Sequence, residues 1–327
     1  MKTALILGVS GQDGAYLARF LLSKNYAVHG TSRDAGRHDF SRLRTLGIRE
    51  RVVTHTVSET GEALPAVIET LRPDEIYNLA GLSSVSRSFT DPQAAWTSIA
   101  DAQIRLLDVV RAIVPAARVY HSASSECFGS LALNSAADER TPFAPLSPYA
   151  AAKVAAHNAT AEFRSAHSLY ACSGIVFNHE SPLRGEPFVT HKIVSAASAI
   201  AAGDASGQLA LGDLSVSRDW GYAAEYVEAM WTMLQQPEPG DFVIATGESH
   251  TVEELAAAVF AEFGLDHRQH VVVEETFRRR AELRYSRGNP ARAREVLGWE
   301  AQTKFGALVR LLSEAARRAS SAARARQ

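Results

Sequence analysis

A glycine-rich turn near the start of the chain constrains the fold more than any other feature. Gly8, Gly11 and Gly14 follow the apolar run Ala4–Leu7 and lead into Tyr16–Leu22, where apolar residues recur at helical spacing. The glycines permit a tight turn in which backbone amides approach a pyrophosphate, whose charge a helix N-terminus favours. The G-x-x-G-x-x-G spacing alone is weak evidence, but its place between strand and helix predicts a dinucleotide site. The alternative is a glycine turn without a ligand.

The end of the second predicted strand indicates which dinucleotide is bound. An acidic residue there would bind the ribose 2′-hydroxyl of NAD, but none precedes Asp34, whereas Ser32 and Arg33 suit the 2′-phosphate of NADP. The alternative for Arg33 is a solvated surface charge. We therefore expect NADP as the cofactor. The predicted cofactor-binding residues are Gly8, Ser10, Gly11, Gln12, Asp13, Gly14, Arg33, Leu79, Ala80, Tyr149 and Lys153.

Strand and helix patterns alternate along the first half of the chain. Strands are expected at Ala4–Leu7, Ala27–Gly30, Val52–His55, Glu75–Leu79, Arg118–Ser122 and Tyr170–Phe177. Helices are expected at Tyr16–Leu22, Ala63–Leu71, Ala94–Ile113 and Pro148–His167. This alternation predicts an α/β fold with a Rossmann doubly wound parallel sheet, covered by helices on both faces.

The pattern loosens after Phe177. Helices are expected near Val194–Ala202, Trp220–Gln235, Val252–Phe263 and Ala291–Leu297, and strands near Phe242–Ala245 and Val271–Val273. We expect a smaller mixed α/β C-terminal substrate lobe beside the sheet. Residues 1–177 plus about 218–246 would form the dinucleotide domain, and residues 178–217 plus about 247–327 the lobe.

Composition excludes several classes of function. The 327 residues carry a net charge of −2, so no general basic field attracts nucleic acid or an anionic membrane. No stretch approaches the roughly 20 apolar residues that span a bilayer, and the basic tail from Arg317 is expected to be a frayed end. Two cysteines do not indicate a disulfide framework, which favours a reducing, cytoplasmic setting. No metal site is predicted.

Four residues form a candidate catalytic group. Tyr149 and Lys153 lie one helical turn apart, after a Ser-Pro helix start, and an ammonium beside a phenol and a cofactor ribose lowers the phenol pKa. Ser124 follows the fifth strand, where its hydroxyl could bind a reacting hydroxyl group. Glu126 supplies a carboxylate that can remove a carbon-bound proton, which simple hydride transfer does not require. The alternatives are a packed tyrosine with a snorkelling lysine, and a solvated or capping glutamate.

Several segments resemble the GDP-mannose 4,6-dehydratase family of the extended short-chain dehydrogenase/reductase superfamily. The most specific are Asn178–Pro182 and Arg184–Glu186, and Gly11–Gly14, Arg72–Ala80 and Arg218–Gly221 also match. The resemblance covers most of the chain. It implies oxidation at C4 of GDP-mannose, loss of water across C5 and C6, and return of the hydride to C6, with NADP regenerated in each turnover.

The resemblance also implies a substrate site and an assembly. The implied substrate-binding residues are Ser83, Asn178, Lys192, Arg218, Arg279 and Glu282. Lysine and arginine suit a diphosphate, although each could instead form a surface ion pair. A homodimer or homotetramer is implied. Alternative functions are a GDP-4-keto-6-deoxy-sugar reductase that consumes NADPH, a dehydratase for another nucleotide-linked hexose, and a non-catalytic NADP-binding regulator.

The chain departs from the family pattern at several positions. Thr56–Ser58 stands where the family has an acidic loop, and Ser32–Asp34 is a reduced form of its Arg-Arg-Ser segment. Leu82 and Ser84 replace a glutamine and a histidine beside the sugar. These changes leave open the identity of the hexose and the choice between dimer and tetramer.

Overall fold

The computed structural model of the chain describes residues 1–58, 60–203, 207–277 and 281–324. Its strands are β1 (Thr3–Leu7), β2 (Ala27–Ser32), β3 (Val53–Thr56), β4 (Glu75–Asn78), β5 (Arg118–Ser124), β6 (Ala171–Val176), β7 (Asn178–Glu180), β8 (Leu209–Leu211), β9 (Ser217–Arg218), β10 (Trp220–Tyr222), β11 (Asp241–Ile244), β12 (His250–Thr251) and β13 (Val271–Val273). Its α-helices are α1 (Gln12–Ser23), α2 (Ser41–Thr45), α3 (Leu64–Leu71), α4 (Val85–Thr90), α5 (Pro92–Trp96), α6 (Ala102–Ile113), α7 (Pro148–His167), α8 (Val189–Ala201), α9 (Ala223–Met233), α10 (Val252–Glu262) and α11 (Phe305–Arg324).

Seven strands form one parallel sheet in the order β11-β6-β5-β4-β1-β2-β3. The chain runs outward from β1 to β3, crosses back to β4, and continues in the opposite direction to β11. The order therefore reverses between β1 and β4. Doubly wound sheets bind ligands in the crevice beyond the carboxyl ends of the strands at such a reversal. The predicted Rossmann architecture is confirmed.

Helices bury both faces of this sheet. On β4, Ile76 packs on one face in a cluster with Leu106, and Tyr77 packs on the other face in a cluster with Leu17 and Met230. All five side chains are fully buried. Burying an aliphatic side chain of this size contributes about 1.5–3 kcal/mol. The unbroken apolar runs of the central strands follow from this two-sided cover.

The predicted helix Ala94–Ile113 is continuous but contains a wider turn. Residues Thr97–Asp101 form a π-helical segment between α5 and α6. At this turn the Ser98 hydroxyl accepts a hydrogen bond from the backbone N–H of Leu82 over 3.2 Å. Gly81 has a φ of +115°, and a Cβ there would lie 2.8 Å from the Ser98 carbonyl oxygen. The π turn therefore fits closely against the segment that follows β4.

The predicted helix Trp220–Gln235 is wrong at its start. Trp220–Tyr222 is strand β10, which pairs in parallel with β7, and α9 begins at Ala223. A Cβ on Gly221 would lie 2.4 Å from the ring of Tyr226, so the strand passes directly over that ring. Apolar residues at the junction of strand and helix produced an apparent helical period across both.

The expectation of a frayed end from Arg317 is also wrong, because α11 continues to Arg324. Leu308 and Leu312 of α11 are buried in an apolar cluster with residues of α8 and α10. The guanidinium of Arg317 also donates a hydrogen bond to the carbonyl oxygen of Glu262. The proposed division of the chain into two domains stays a prediction.

Candidate active site

A cleft of about 360 Å³ lies beyond the carboxyl ends of β4, β5 and β6. The predicted site residues that line it are Asp13, Leu79, Ala80, Ser83, Ser124, Glu126, Tyr149, Lys153, Asn178, Lys192, Arg218 and Glu282. The predicted residues that do not line it are Gly8, Ser10, Gly11, Gln12, Gly14 and Arg33. Arg279 lies outside the described residues. The structure thus brings the four candidate catalytic residues to one space.

Helix α7 presents the tyrosine and the lysine to this cleft. The Ser147 hydroxyl caps the helix by accepting a hydrogen bond from the backbone N–H of Ala150 over 3.1 Å, and proline occupies the first helical position. Tyr149 and Lys153 are both buried. The Lys153 ammonium lies 5.9 Å from the centre of the Tyr149 ring and donates to the carbonyl oxygen of Ser122 over 2.6 Å. The helix start and strand β5 therefore fix both side chains.

Burial dominates the proton affinities of this pair. It lowers the pKa of Lys153 to about 8. Burial raises the pKa of Tyr149, while a hydrogen bond with Ser124 and the positive charge of Arg184 act in the opposite direction. In the protein alone, desolvation outweighs the favourable contacts and the pKa of Tyr149 is raised. The lowering expected beside a cofactor ribose stays a prediction.

Glu126 lines the same cleft as the phenol of Tyr149. Strand β5 ends in a 3₁₀ turn, Ser125–Phe128, and the backbone N–H of its second residue, Glu126, donates to the Ser124 hydroxyl over 3.3 Å. The Glu126 side chain is half-buried and lines the cleft together with Ser124 and Tyr149. A carboxylate and a phenol that face one space can move two different protons of one bound molecule.

The glycine turn after β1 is a tight backbone cradle. Gly8 has a φ of +85°, and a Cβ there would lie 3.0 Å from the carbonyl oxygen of Leu79. A Cβ on Gly14 would lie only 2.4 Å from the carbonyl oxygen of Gly8. Helix α1 starts after Gly11 without a side-chain cap. Its first N–H groups therefore remain for an anion, and the cradle fits a dinucleotide pyrophosphate.

The side chains of Gln12 and Asp13 form hydrogen bonds with β7 and the segment that follows it. The Gln12 amide donates to the carbonyl oxygen of His179 over 3.1 Å and accepts from the Ser181 hydroxyl over 2.7 Å. The Asp13 carboxylate lies 2.8 Å from the imidazole Nε2 of His179. Both side chains thus tie the glycine turn to β7, which begins at Asn178.

The basic residues near β2 occupy two different environments. Arg33 is exposed directly after the end of β2. Arg42 donates to the carbonyl oxygens of Leu183 and Ser10 over 2.8 and 3.2 Å. Arg42 therefore fastens the glycine turn to the loop after β7, whereas Arg33 is an exposed residue at the carboxyl end of β2.

Comparison with known proteins decides the family. A family model described as GDP-mannose 4,6 dehydratase matches residues 5–312. The chain belongs to the GDP-mannose 4,6-dehydratase family. It is 43% identical to GDP-mannose 4,6 dehydratase 2 of Arabidopsis thaliana over 95% of this chain and 86% of that protein. It is 39% identical to the GDP-mannose 4,6-dehydratase of Sinorhizobium fredii over 92% and 93% of the two chains.

Solved structures of more distant proteins share the fold. RMD from Pseudomonas aeruginosa, complexed with NADPH, is 20% identical and has a TM-score of 0.79 over 98% of this chain and 100% of that chain. The dTDP-glucose 4,6-dehydratase of Bacillus anthracis, complexed with NAD, is 18% identical and has a TM-score of 0.82 over 98% and 97%. At these identities the likeness establishes the Rossmann-type fold of this dehydratase-family chain.

Two of the candidate substrate residues of this dehydratase-family chain form an ion pair with each other. The Arg218 guanidinium donates to the Glu282 carboxylate over 3.0 Å and to the carbonyl oxygen of Leu283 over 2.5 Å. The Lys192 ammonium lies 5.3 Å from the centre of the Phe277 ring, whose side chain is partly exposed. Lys192 thus contacts an aromatic ring, whereas Arg218 is paired with a carboxylate.

Sequence reasoning missed several residues of the cleft. His179, Glu180, Arg184 and Phe188 also line it. Arg184 lies 3.2 Å from the Glu180 carboxylate and 3.4 Å from the centre of the Phe188 ring. These residues fall within the family segment that starts at Asn178, but no spacing within that segment distinguishes a cleft residue from a structural one.

The described part of the chain shows neither a membrane-spanning helix nor a cluster of metal ligands. None of its helices combines the length and the apolar character needed to cross a membrane. The same residues contain no group of three or more histidine, cysteine, aspartate or glutamate side chains placed to hold a metal ion.

Proposed function

We propose that the chain converts GDP-mannose to GDP-4-keto-6-deoxymannose with loss of one water molecule. The observation that carries the proposal is that Glu126 lines the same cleft as Ser124 and Tyr149. Transfer of a hydride to or from C4 needs a phenol to move the hydroxyl proton. Elimination needs a further base for the C5 proton, and a carboxylate supplies it.

We propose NADP as the cofactor. The glycine cradle and the uncapped start of α1 support a dinucleotide, and Ser32 and Arg33 in place of an acidic residue favour the 2′-phosphate. The P. aeruginosa neighbour is complexed with NADPH and the B. anthracis neighbour with NAD. When bound, the nicotinamide would supply a hydride acceptor at C4 and a hydride donor at C6 within one turnover.

The protein side chains then move protons. Ser124 orients the C4 hydroxyl, and Tyr149 accepts its proton while the Lys153 charge favours the phenolate. The C4 ketone acidifies the C5 proton, which Glu126 removes and passes to the departing C6 hydroxyl. C5 regains a proton when the hydride returns to C6, and the proton held by Tyr149 accounts for it. The net change is therefore the loss of one water molecule.

We propose that Ser83, Asn178, Lys192, Arg218, Arg279 and Glu282 hold the nucleotide sugar. Lys192 is suited to the diphosphate because its ammonium lines the cleft beside an aromatic ring, whereas Arg218 is paired with the Glu282 carboxylate. The pair of Arg218 and Glu282 is nearly neutral, which suits hydrogen bonding to hydroxyl groups or the base. This site supports a GDP-sugar and leaves the choice of hexose to experiment.

Incubation of the purified protein with GDP-mannose, without added cofactor, tests the proposal. We expect a product that has lost one water and contains a 4-ketone, with no net change in the redox state of the protein-bound dinucleotide. Turnover of a GDP-4-keto-6-deoxy sugar with stoichiometric consumption of NADPH, and none of GDP-mannose, would instead identify a reductase. The reductase alternative would leave Glu126 without a chemical role.

We further propose a homodimer or homotetramer in the cytoplasm. Trp96 and Ile104, on the helical stretch that ends at Ile113, expose 43% and 39% of their surface. Cys127 and Cys172 are both buried free thiols, which suits a reducing compartment. Light scattering of the purified protein measures the assembly, and a monomer at micromolar concentration would contradict it.

A further inference from the structure

His179 makes hydrogen bonds through both ring nitrogens, and both partners can only accept. Its Nδ1 lies 2.6 Å from the carbonyl oxygen of Phe177, and its Nε2 lies 2.8 Å from a carboxylate oxygen of Asp13. A neutral imidazole has one N–H group and could satisfy only one of these contacts. An imidazolium has two N–H groups and satisfies both.

The surroundings of His179 favour this charge. The ring is buried and stacks on Tyr226 of α9, with ring centres 4.8 Å apart. The charged groups that face it are Asp13 of α1 and Arg184 of the loop after β7. Burial and Arg184 lower the pKa of His179, but the carboxylate of Asp13 raises it more, so the net shift is upward. The pKa of Asp13 falls to about 2 for the same reason, against the effect of burial.

The pair of Asp13 and His179 lies at the N-terminus of α1, where its charge affects ligand binding. Asp13 lies in the first turn of α1, whose N-terminal amides form the cradle that fits a pyrophosphate. A carboxylate in that turn opposes the approach of a second anion, since like charges repel strongly in a partly dehydrated site. An imidazolium bound to Asp13 removes most of this repulsion.

We propose that His179 is a positioning residue whose imidazolium neutralises Asp13 and thereby keeps the N-terminus of α1 able to accept the diphosphate of a dinucleotide. The proposal rests on the proposed function, because it takes the bound anion to be a dinucleotide. It explains how an acidic residue is tolerated in the first turn of an anion-binding helix. It also assigns His179 a task in cofactor retention that requires no participation in proton transfer to the sugar.

Three variants test the proposal through the affinity for NADP⁺. The dissociation constant is measured by calorimetry on the full chain after removal of copurified dinucleotide, for His179→Asn, Asp13→Asn and the double variant. We expect His179→Asn to weaken binding by about tenfold, the scale of an unfavourable charge at a helix N-terminus. The double variant should recover most of that loss, because it removes the uncompensated carboxylate.

Binding of the parent protein should also weaken as the pH rises above the pKa of His179, and Asp13→Asn should flatten this dependence. Parental affinity in His179→Asn, or a double variant as weak as His179→Asn, would overturn the inference. If the parent chain binds neither NADP⁺ nor NAD⁺, the proposed function itself fails, which is a distinguishable result.

A measurement without cofactor guards against variants that do not fold. Nitrogen-15 spectra of the parent protein, labelled at histidine, report the protonation of each ring nitrogen, and the Asp13→Asn variant assists assignment of the His179 signal. We expect both nitrogens of His179 to be predominantly protonated at about pH 6.5, the ordinary histidine pKa, where an unperturbed ring is half neutral. A neutral ring at that pH would overturn the inference whatever the variants do.

Discussion

Replacement of Glu126 by glutamine isolates the elimination step. Glutamine matches glutamate in size, and the hydrogen bond from the backbone N–H of residue 126 to the Ser124 hydroxyl does not depend on the side chain. The 3₁₀ turn at the end of β5 should therefore persist. A positioned general base contributes about 10²–10⁴-fold to a rate, equivalent to about 3–5 kcal/mol of activation free energy. We therefore expect kcat to fall by two to four orders of magnitude on this scale, while KM for GDP-mannose changes little.

The assay separates the half-reactions. Oxidation at C4 does not use Glu126, so the variant should accumulate reduced nicotinamide on mixing with GDP-mannose, and it should fail to exchange the C5 proton with deuterated water. The exposed residue Glu69 on α3 offers a matched control, since Glu69→Gln removes the same charge far from the chemistry. Dehydration by Glu126→Gln at the parental rate would refute the assigned role, as would a raised KM with unchanged kcat.

Three further changes probe the cradle, the phenol and the buried ion pair. Gly14→Ala places a methyl group 2.4 Å from the Gly8 carbonyl oxygen, so we expect about 1–3 kcal/mol of destabilisation, measured by urea unfolding, and weaker dinucleotide binding, measured by calorimetry. As a control, Gly306→Ala has no atom within 4 Å of the new methyl group and should not destabilise the protein. Tyr149→Phe should abolish C4 oxidation, seen as no reduced nicotinamide on mixing with GDP-mannose, and unaltered oxidation would count against its role. The pKa of Asp13 is lowered from 3.8 to about 2, so its ionised form stabilises the fold above about pH 4, and this contribution is lost as pH falls toward 2. The difference in unfolding free energy between the parent and Asp13→Asn should therefore be about 2 kcal/mol near neutral pH and shrink in acid. A difference independent of pH would contradict the assignment.

Local signals were sufficient for the sheet and for the tyrosine helix. The alternation of apolar runs with helical periods predicts a parallel sheet because each buried strand must be covered on both faces. The Ser147-Pro148 start predicts where α7 begins, and the spacing of Tyr149 and Lys153 then follows from helix geometry. These features depend on neighbours within a few residues, which a sequence displays directly.

Long-range contacts were not predictable in the same way. Gln12 and Asp13 look like phosphate ligands in the glycine motif, but their side chains bond to His179 and Ser181, more than 160 residues away. Nothing near Asp13 in the chain announces a histidine partner. The small, basic composition after Arg317 likewise obscured a helix whose stability comes from leucines packed against other elements.

The apolar surroundings of Tyr149 constrain how the proposed chemistry can begin. Leu82, which stands where the resemblance led us to expect glutamine, packs with Ile99 and Ala152 in the cluster that includes the Tyr149 ring. This packing holds the ring in place, and the burial of Tyr149 raises its pKa, so the free phenol stays protonated near neutral pH. Ionisation must therefore be offset by positive charge, and Lys153 is held 5.9 Å from the ring centre by its bond to Ser122. At this distance Lys153 acts on the phenol through its positive charge, so the lysine, the tyrosine and the bound dinucleotide have to work as one electrostatic unit.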